Sequence, residues 1–266
     1  MRSRDIAAAG VIDHSVRAHR FVRLYFRPRT PTQYHIEGIR KSTDLQYGSN
    51  AHAPVLVMFV FDARKILMLD DVQFSAENMQ TGIVEQGSEE NFRSIPFAKV
   101  YHEGGTGGDR SIIAHRCAEV LAPSPLVLSD MLQWIYCRSE AERASLIHAL
   151  GNTAPVWDKR IRVSDDIKVF EKRFCFVEAV SLANDGIIFR LNPRHDMLQN
   201  YISIKSYNSS GKMVCDFTTE NISAYPPKSK FWRFDVPLSE DEYRVIIDIE
   251  GHRAYNALLK LDQAPF

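Results

Sequence analysis

The sequence predicts an α+β domain followed by an all-β, sandwich-like C-terminal domain. Three observations predict it. Strand-like and helix-like runs alternate over the first half, the composition changes at "GNTAPVWD" (Gly151–Asp158), and short alternating apolar runs separated by turn residues follow to the end. The implied boundaries are residues 1–152 and 155–266.

The elements follow in order. "VLVMFVF" (Val55–Phe61) is a continuous apolar run rich in β-branched residues, the pattern of a strand buried on both faces. "AEVLAP" and "LQWIYCRS" read as two further short strands. "SEAERASLIHAL" carries Ser139 as an N-cap and Ala144, Leu146, Ile147 and Leu150 as the apolar face of an amphipathic helix. Beyond Gly151, "KRFCFVEAV", "GIIFRLN", "NYISIKSY", "KMVCDFTT", "KFWRFDV" and "YRVIIDIEG" read as strands, with a hairpin expected in "YISIKSYNSSGKMVCDF". "KSKFWRF" reads as an ordinary strand with Trp232 turned inward.

Composition excludes several classes. The 266 residues carry 33 basic and 33 acidic side chains, so an anionic partner has to be met by a local patch. Four scattered cysteines (Cys117, Cys137, Cys175, Cys215) form no C-x-x-C pair, so no metal site is expected and they read as buried thiols in a reducing cytoplasm. The sequence has no apolar run of transmembrane length and no signal-peptide stretch, so a cytoplasmic protein without membrane contact is expected. Phosphate-binding glycine loops, G-x-S-x-G and H-E-x-x-H are absent. "YHEGGTGGDRS" (Tyr101–Ser111) lacks the strand-before, helix-after setting of a phosphate loop and reads as a mobile surface loop suited to a lid.

"HRFVRLYFRPRTPTQYHIEGIRK" (His19–Lys41) interleaves arginines with Phe21, Tyr25, Phe26 and Tyr34, which reads either as a well-solvated edge strand and turn or as a groove for an anionic, flat ligand. In "HRCAEVLAP", Glu119 alternates with Ala118 and Val120. It therefore points opposite to them, and taken alone it is a solvent-facing strand residue.

Three blocks together change that reading. "HRFVRLYFRPRTPTQYHIEGIR", "VLVMFVFDARKIL" with "VQFSAENM", and "HRCAEVLAPSPLVLSDMLQWIYCRSEAE" resemble, in order, segments of the DarT family of NAD-dependent DNA ADP-ribosyltransferases. The resemblance implies an ADP-ribosyltransferase-like domain with a central β core. It implies Glu119 as the catalytic carboxylate, stabilising an oxocarbenium-like transition state as the nicotinamide–ribose bond breaks. Arg17, His19, Arg27, Arg29, Tyr34 and Asn78 are then expected to bind NAD, and Tyr25, Phe26 and Arg116 to contact nucleic acid. The implied function is transfer of ADP-ribose to a base of single-stranded DNA or RNA by a toxin or antiphage effector. A macrodomain-type antitoxin is the implied partner. The alternative is a catalytically degenerate nucleic-acid-binding module of the same fold.

The chain departs from the family pattern in two places. The usual His-x-Thr/Ser element that grips NAD is expected to be missing ahead of Ile6, through truncation or loss. In "FSAENMQ", Ala76-Glu77 stands where Asp-Gly is usual, which costs stability if that position needs a positive φ.

Overall fold

The computed structural model describes residues 21–41, 52–79, 87–193 and 199–261. Arg17 and His19 lie outside these residues, as does the stretch before Ile6.

In chain order the described elements begin with β1 (Phe21–Tyr25), α1 (Pro31–Ile36), β2 (Val57–Phe61), α2 (Ala63–Leu67) and β3 (Gln73–Ser75). There follow α3 (Glu89–Ser94), α4 (Phe97–Val100), α5 (Arg110–His115), β4 (Glu119–Pro123), α6 (Leu128–Met131), β5 (Leu132–Cys137), α7 (Glu140–Leu150) and α8 (Ala154–Trp157). After a 3-10 turn at Asp158–Arg160 come the strands β6 (Ile161–Val163), β7 (Val177–Ala183), β8 (Gly186–Leu191), β9 (Gln199–Tyr207), β10 (Met213–Ser223), β11 (Lys230–Arg233), β12 (Glu242–Ile249) and β13 (His252–Lys260). The chain is therefore mixed α/β with a β-rich C-terminal region. It divides into two compact units, Met1–His35 with Phe59–Gln133, and Ile36–Met58 with Trp134–Phe266.

The first unit is organised by an antiparallel sheet of order β1-β4-β3. Strand alternation sorts its two faces. Val22 and Leu24, Phe74, and Ala118, Val120 and Ala122 turn to a core that also holds Ile66, Val72, Ile95 and Val100. Phe26 joins that core, with its ring centroid 5.5 Å from Phe97 and 6.2 Å from Phe92. The opposite face carries the polar residues of the same strands, and it builds the candidate site. Short helices are fixed locally: Asp62 caps α2 by accepting from the Lys65 amide, Ser88 caps α3, and Asp109 accepts from the Ser111 amide at the start of α5.

In the second unit, one sheet of order β10-β9-β12-β13 and another of order β11-β8-β7 contribute to one core. Val177, Leu182, Ile187, Phe189 and Leu191 come from one sheet, and Ile202, Ile204, Val245, Ile247, Ile249 and Tyr255 from the other. The expected β9–β10 hairpin forms around Asn208–Lys212. Strand β13, which the sequence reading passed over, pairs with β12 through a tight turn in which Glu250 (φ 49°) and Gly251 (φ 77°) are both left-handed.

Four expectations are corrected. β2 is only half-buried, with Phe59 46% exposed, because an apolar run reports composition and not what covers it. α7 starts from Ser139 as expected, but it buries Ala141, Glu142 and Ser145 and leaves Leu146, Ile147 and Leu150 partly exposed. Its small-residue face allows close approach, and Ser145 Oγ accepts the Asn256 amide at 3.1 Å. The glycine-rich segment does lead into a helix, α5, although a helix rather than a strand precedes it. Trp232 is not turned inward: it is 37% exposed, and the residue buried beside it is Phe234.

Candidate active site

Glu119 opens β4, the central strand of the first unit's sheet, with Tyr25 of β1 and Ser75 of β3 as its cross-strand partners. It points away from Ala118 and Val120, as alternation requires. It does not reach solvent, however: the residue is 1% exposed. Arg23, one strand away and two residues before Tyr25, holds the carboxylate through both oxygens, Nε to Oε2 at 3.0 Å and Nη2 to Oε1 at 2.6 Å. This fork is the strong, orientation-fixing form of ion pair. Burial pushes the Glu119 carboxyl upward from its ordinary pKa, and the Arg23 guanidinium partly opposes that.

The surroundings of Glu119 are polar and organised. The Tyr25 hydroxyl donates to Thr32 Oγ1 at 3.5 Å, and burial together with the Glu119 charge raises its pKa. Cys117 is pushed up to about 11 by burial and by Glu119, against hydrogen bonds from Thr32, so it is an inert thiol. Ser75 Oγ donates to the Glu77 carbonyl at 2.6 Å, and His115 Nδ1 lies 2.9 Å from the Ala76 carbonyl. The Glu77 carboxylate approaches His115 at 3.8 Å. Glu77 is not among the residues with positive φ, so the replacement of the family's glycine introduces no backbone strain here.

The expected cofactor and nucleic-acid residues do not all gather at Glu119. Arg27 Nη1 donates to the carbonyls of Val100 and His102 at 2.9 and 2.7 Å, and Nε donates to Pro28 O at 3.0 Å. Arg116 Nε donates to His102 O, and Nη2 donates to Gly104 O. Both arginines thus pin the start of the glycine-rich loop to the body of the unit. Phe26, expected to stack on a base, is corrected to a core residue, because its alternation phase is that of Val22 and Leu24. Tyr34 is half-buried and lies edge-on to the His35 ring. Asn78 is half-buried just beyond β3.

Arg29 is different. Its φ of 54° is left-handed, a conformation costing on the order of 1–3 kcal/mol for a residue with a side chain. Gln33 Oε1 accepts the Arg29 amide at 2.8 Å, and Thr30 Oγ1 accepts the Gln33 amide at 3.1 Å, which fixes the turn. One Arg29 nitrogen pairs with exposed Glu103 at 2.7 Å, while its buried Nε has no hydrogen-bond partner among the described residues. A buried guanidinium nitrogen without a partner on a strained turn sets Arg29 apart from Arg27 and Arg116.

Arg23 is the residue that sequence reasoning missed as part of the site. Its signal was present: in "FVRLY" the alternation that sends Val22 and Leu24 inward places Arg23 and Tyr25 on the face Glu119 also takes.

The first unit thus holds a three-stranded antiparallel sheet whose central strand carries a buried carboxylate, Glu119, forked by the half-buried Arg23. Residues 3–170 match the family model described as ssDNA thymidine ADP-ribosyltransferase, DarT. That match spans more than half of the chain, and the chain belongs to the DarT family. Searches of curated proteins and of solved structures found no match. The family is an ADP-ribosyltransferase family that uses NAD as ADP-ribose donor and acts on single-stranded DNA. Among the described residues no helix is long and apolar enough to cross a membrane.

The electrostatics of the pair give a pH prediction. Burial raises the Glu119 pKa and Arg23 lowers it, so Arg23→Ala leaves the raising influence alone. If transfer depends on the ionised Glu119 carboxylate, the acid limb of the transfer rate then moves to higher pH. A pH–rate profile for the two proteins checks this, and an unmoved acid limb in a folded variant would show that Arg23 does not set the ionisation of Glu119.

Proposed function

We propose that this chain transfers ADP-ribose from NAD to thymidine in single-stranded DNA, a pentosyl transfer performed by a cytoplasmic toxin or antiphage effector. The observation that carries this reading is the Glu119 carboxylate, buried at the centre of its sheet and gripped through both oxygens by Arg23. NAD supplies a ribose whose bond to nicotinamide is already activated by the ring's positive charge. The chain's residues do the rest. Each Glu119 oxygen accepts one hydrogen bond from Arg23 and retains a second lone pair for a ribose hydroxyl. Its negative charge faces the positive charge that develops at the ribose and is worth more there than in the ground state.

Arg23 occupies the place of a cation in this state. It stays paired through both carboxylate oxygens, with its side chain 24% exposed, and orients the carboxylate toward the ribose. Arg29, with its free Nε, is assigned to the pyrophosphate, together with His19 and Arg17. Tyr25, at 38% exposure, is assigned to the nucleic acid. In this reading residues 1–152 form the transferase module, residues 155–266 an accessory β module, and a macrodomain-type partner removes the modification.

The closed state of Glu119 favours one other reading, a nucleic-acid-binding module that has lost turnover, because both carboxylate oxygens are already engaged. Labelled NAD incubated with the chain and with single-stranded DNA and RNA oligonucleotides of defined composition separates the two. The expected result is label on thymidine-containing DNA alone. Retention of DNA without any transfer would select the binding module.

A further inference from the structure

We propose that the β11 edge of the second unit is a binding surface for single-stranded DNA, with Trp232 as its stacking residue and Lys228 and Lys230 as its phosphate contacts. The choice of polymer rests on the proposed function; the surface itself rests on other observations. β11 is the outer strand of the β11-β8-β7 sheet, and of its four residues three are exposed. Lys230 and Trp232 alternate onto one face. Trp232 is stacked on Phe217 of β10, ring centroids 3.3 Å apart and planes 24° from parallel, and 37% of the residue remains open. A half-open indole held by a second ring loses little freedom when a base packs against it. Phe231, on the other face, is 47% exposed. Its ring lies over Gly186, where an added Cβ would come within 2.6 Å of it.

The charges name the partner's chemistry. From Tyr225 to Phe234, "YPPKSKFWRF" contains three cations and no acid. Arg233 faces Asp185 at 3.4 Å, but neither lysine has an ion-pair partner among the described residues. Partial burial and the neighbouring Lys228 charge both push the Lys230 ammonium below its ordinary pKa, so two positive charges repel one another with no carboxylate between them. A polyanion relieves that repulsion, and an apolar protein patch does not. The pairing of unneutralised lysines with a half-open aromatic is the arrangement that binds a strand through its phosphates and an unstacked base, without regard to sequence.

The test is fluorescence anisotropy of a labelled oligo-dT with the full chain, in the absence of NAD, across a salt series. Lys228→Glu combined with Lys230→Glu is expected to weaken binding about tenfold at low salt and to flatten the salt slope, each lost phosphate contact removing about 0.7 from it. Trp232→Ala is expected to weaken binding about fivefold to tenfold, and Trp232→Phe to restore most of it. Circular dichroism and a thermal melt identify any variant that has lost its fold, and Lys228→Glu alone, at an exposed position, tests the surface where the half-buried Lys230 disturbs packing. Wild-type affinity in the folded lysine variant overturns the proposal, whatever the transfer assay shows. Failure of the wild-type chain to bind oligo-dT also overturns it and leaves a protein partner for this edge. Variant-sensitive binding by a chain that transfers nothing sinks the transferase reading alone.

Discussion

Glu119→Gln is expected to abolish ADP-ribose transfer while single-stranded DNA still binds with unchanged affinity. The substitution keeps the shape of the side chain and removes its charge, so the loss falls on a step in which positive charge develops. Removing one preorganised electrostatic contact from a water-poor site costs on the order of 10²–10³-fold in rate, and a formal charge that is 1% exposed is expected to cost at least that much. Single-turnover transfer of labelled ADP-ribose, run beside oligonucleotide binding, measures the two effects separately. Equal loss of binding and transfer would mean that Glu119 holds the fold or the nucleic acid and not the reacting ribose. Residual transfer near the wild-type rate would remove it from the chemistry altogether.

Glu142→Ala is expected to be the most destabilising single substitution in the second unit. The Arg138 and Glu142 side chains are both fully buried and form an i,i+4 ion pair. Glu142 also accepts the backbone amides of Leu56 at 3.1 Å and Arg138 at 2.9 Å. The Arg138 guanidinium lies 4.4 Å over the Phe176 ring and donates to the Pro54 carbonyl, so it cannot turn out to water. Removing the carboxylate leaves an uncompensated buried cation, a loss of about 3–5 kcal/mol. At roughly 2–4 °C per kcal/mol for a unit of this size, the melting temperature falls by about 6–20 °C. Arg138→Met together with Glu142→Leu is expected to recover much of that loss, because an apolar pair carries no charge to desolvate. A thermal melt of single and double variants checks both. A single variant that melts with the wild type would show that the pair is solvated in solution.

Particular residues show how far the sequence carried. The alternation around Glu119 gave the strand and its direction, and the resemblance implied a catalytic role for it. Neither gave its cover, because exposure depends on chains packing from elsewhere. Arg23 was readable from "FVRLY" only once β1 was known to pair with β4, and cross-strand register is a long-range property that no local pattern states. Arg27 and Arg116 had the composition of phosphate ligands yet serve loop carbonyls: charge density says that a cation is present, not which acceptor it finds. Phe26 was misassigned by the same route. The strand run after Gly151 was legible because period-two alternation and turn residues are local. The missed strand β13 has a weaker pattern, with His252, Arg253, Asn256 and Lys260 breaking its apolar face.

The interleaving of the two units along the chain has a consequence for synthesis. Residues 36–58 belong to the second unit, although they leave the ribosome before most of the first. Ile39 hydrogen-bonds through its amide to Cys175, and His52 packs edge-on against His252 with ring centroids 4.0 Å apart. The first unit has all its residues once Gln133 is made. Leu56 finds Glu142 soon afterwards, but the buried Ile39 must wait for Cys175, and His52 for His252 near the end of the chain. During that interval a nascent chain holds the proposed catalytic pair complete while part of the second unit is still without its partners. Growing polypeptides of this protein are therefore expected to be chaperone clients until β12 and β13 emerge.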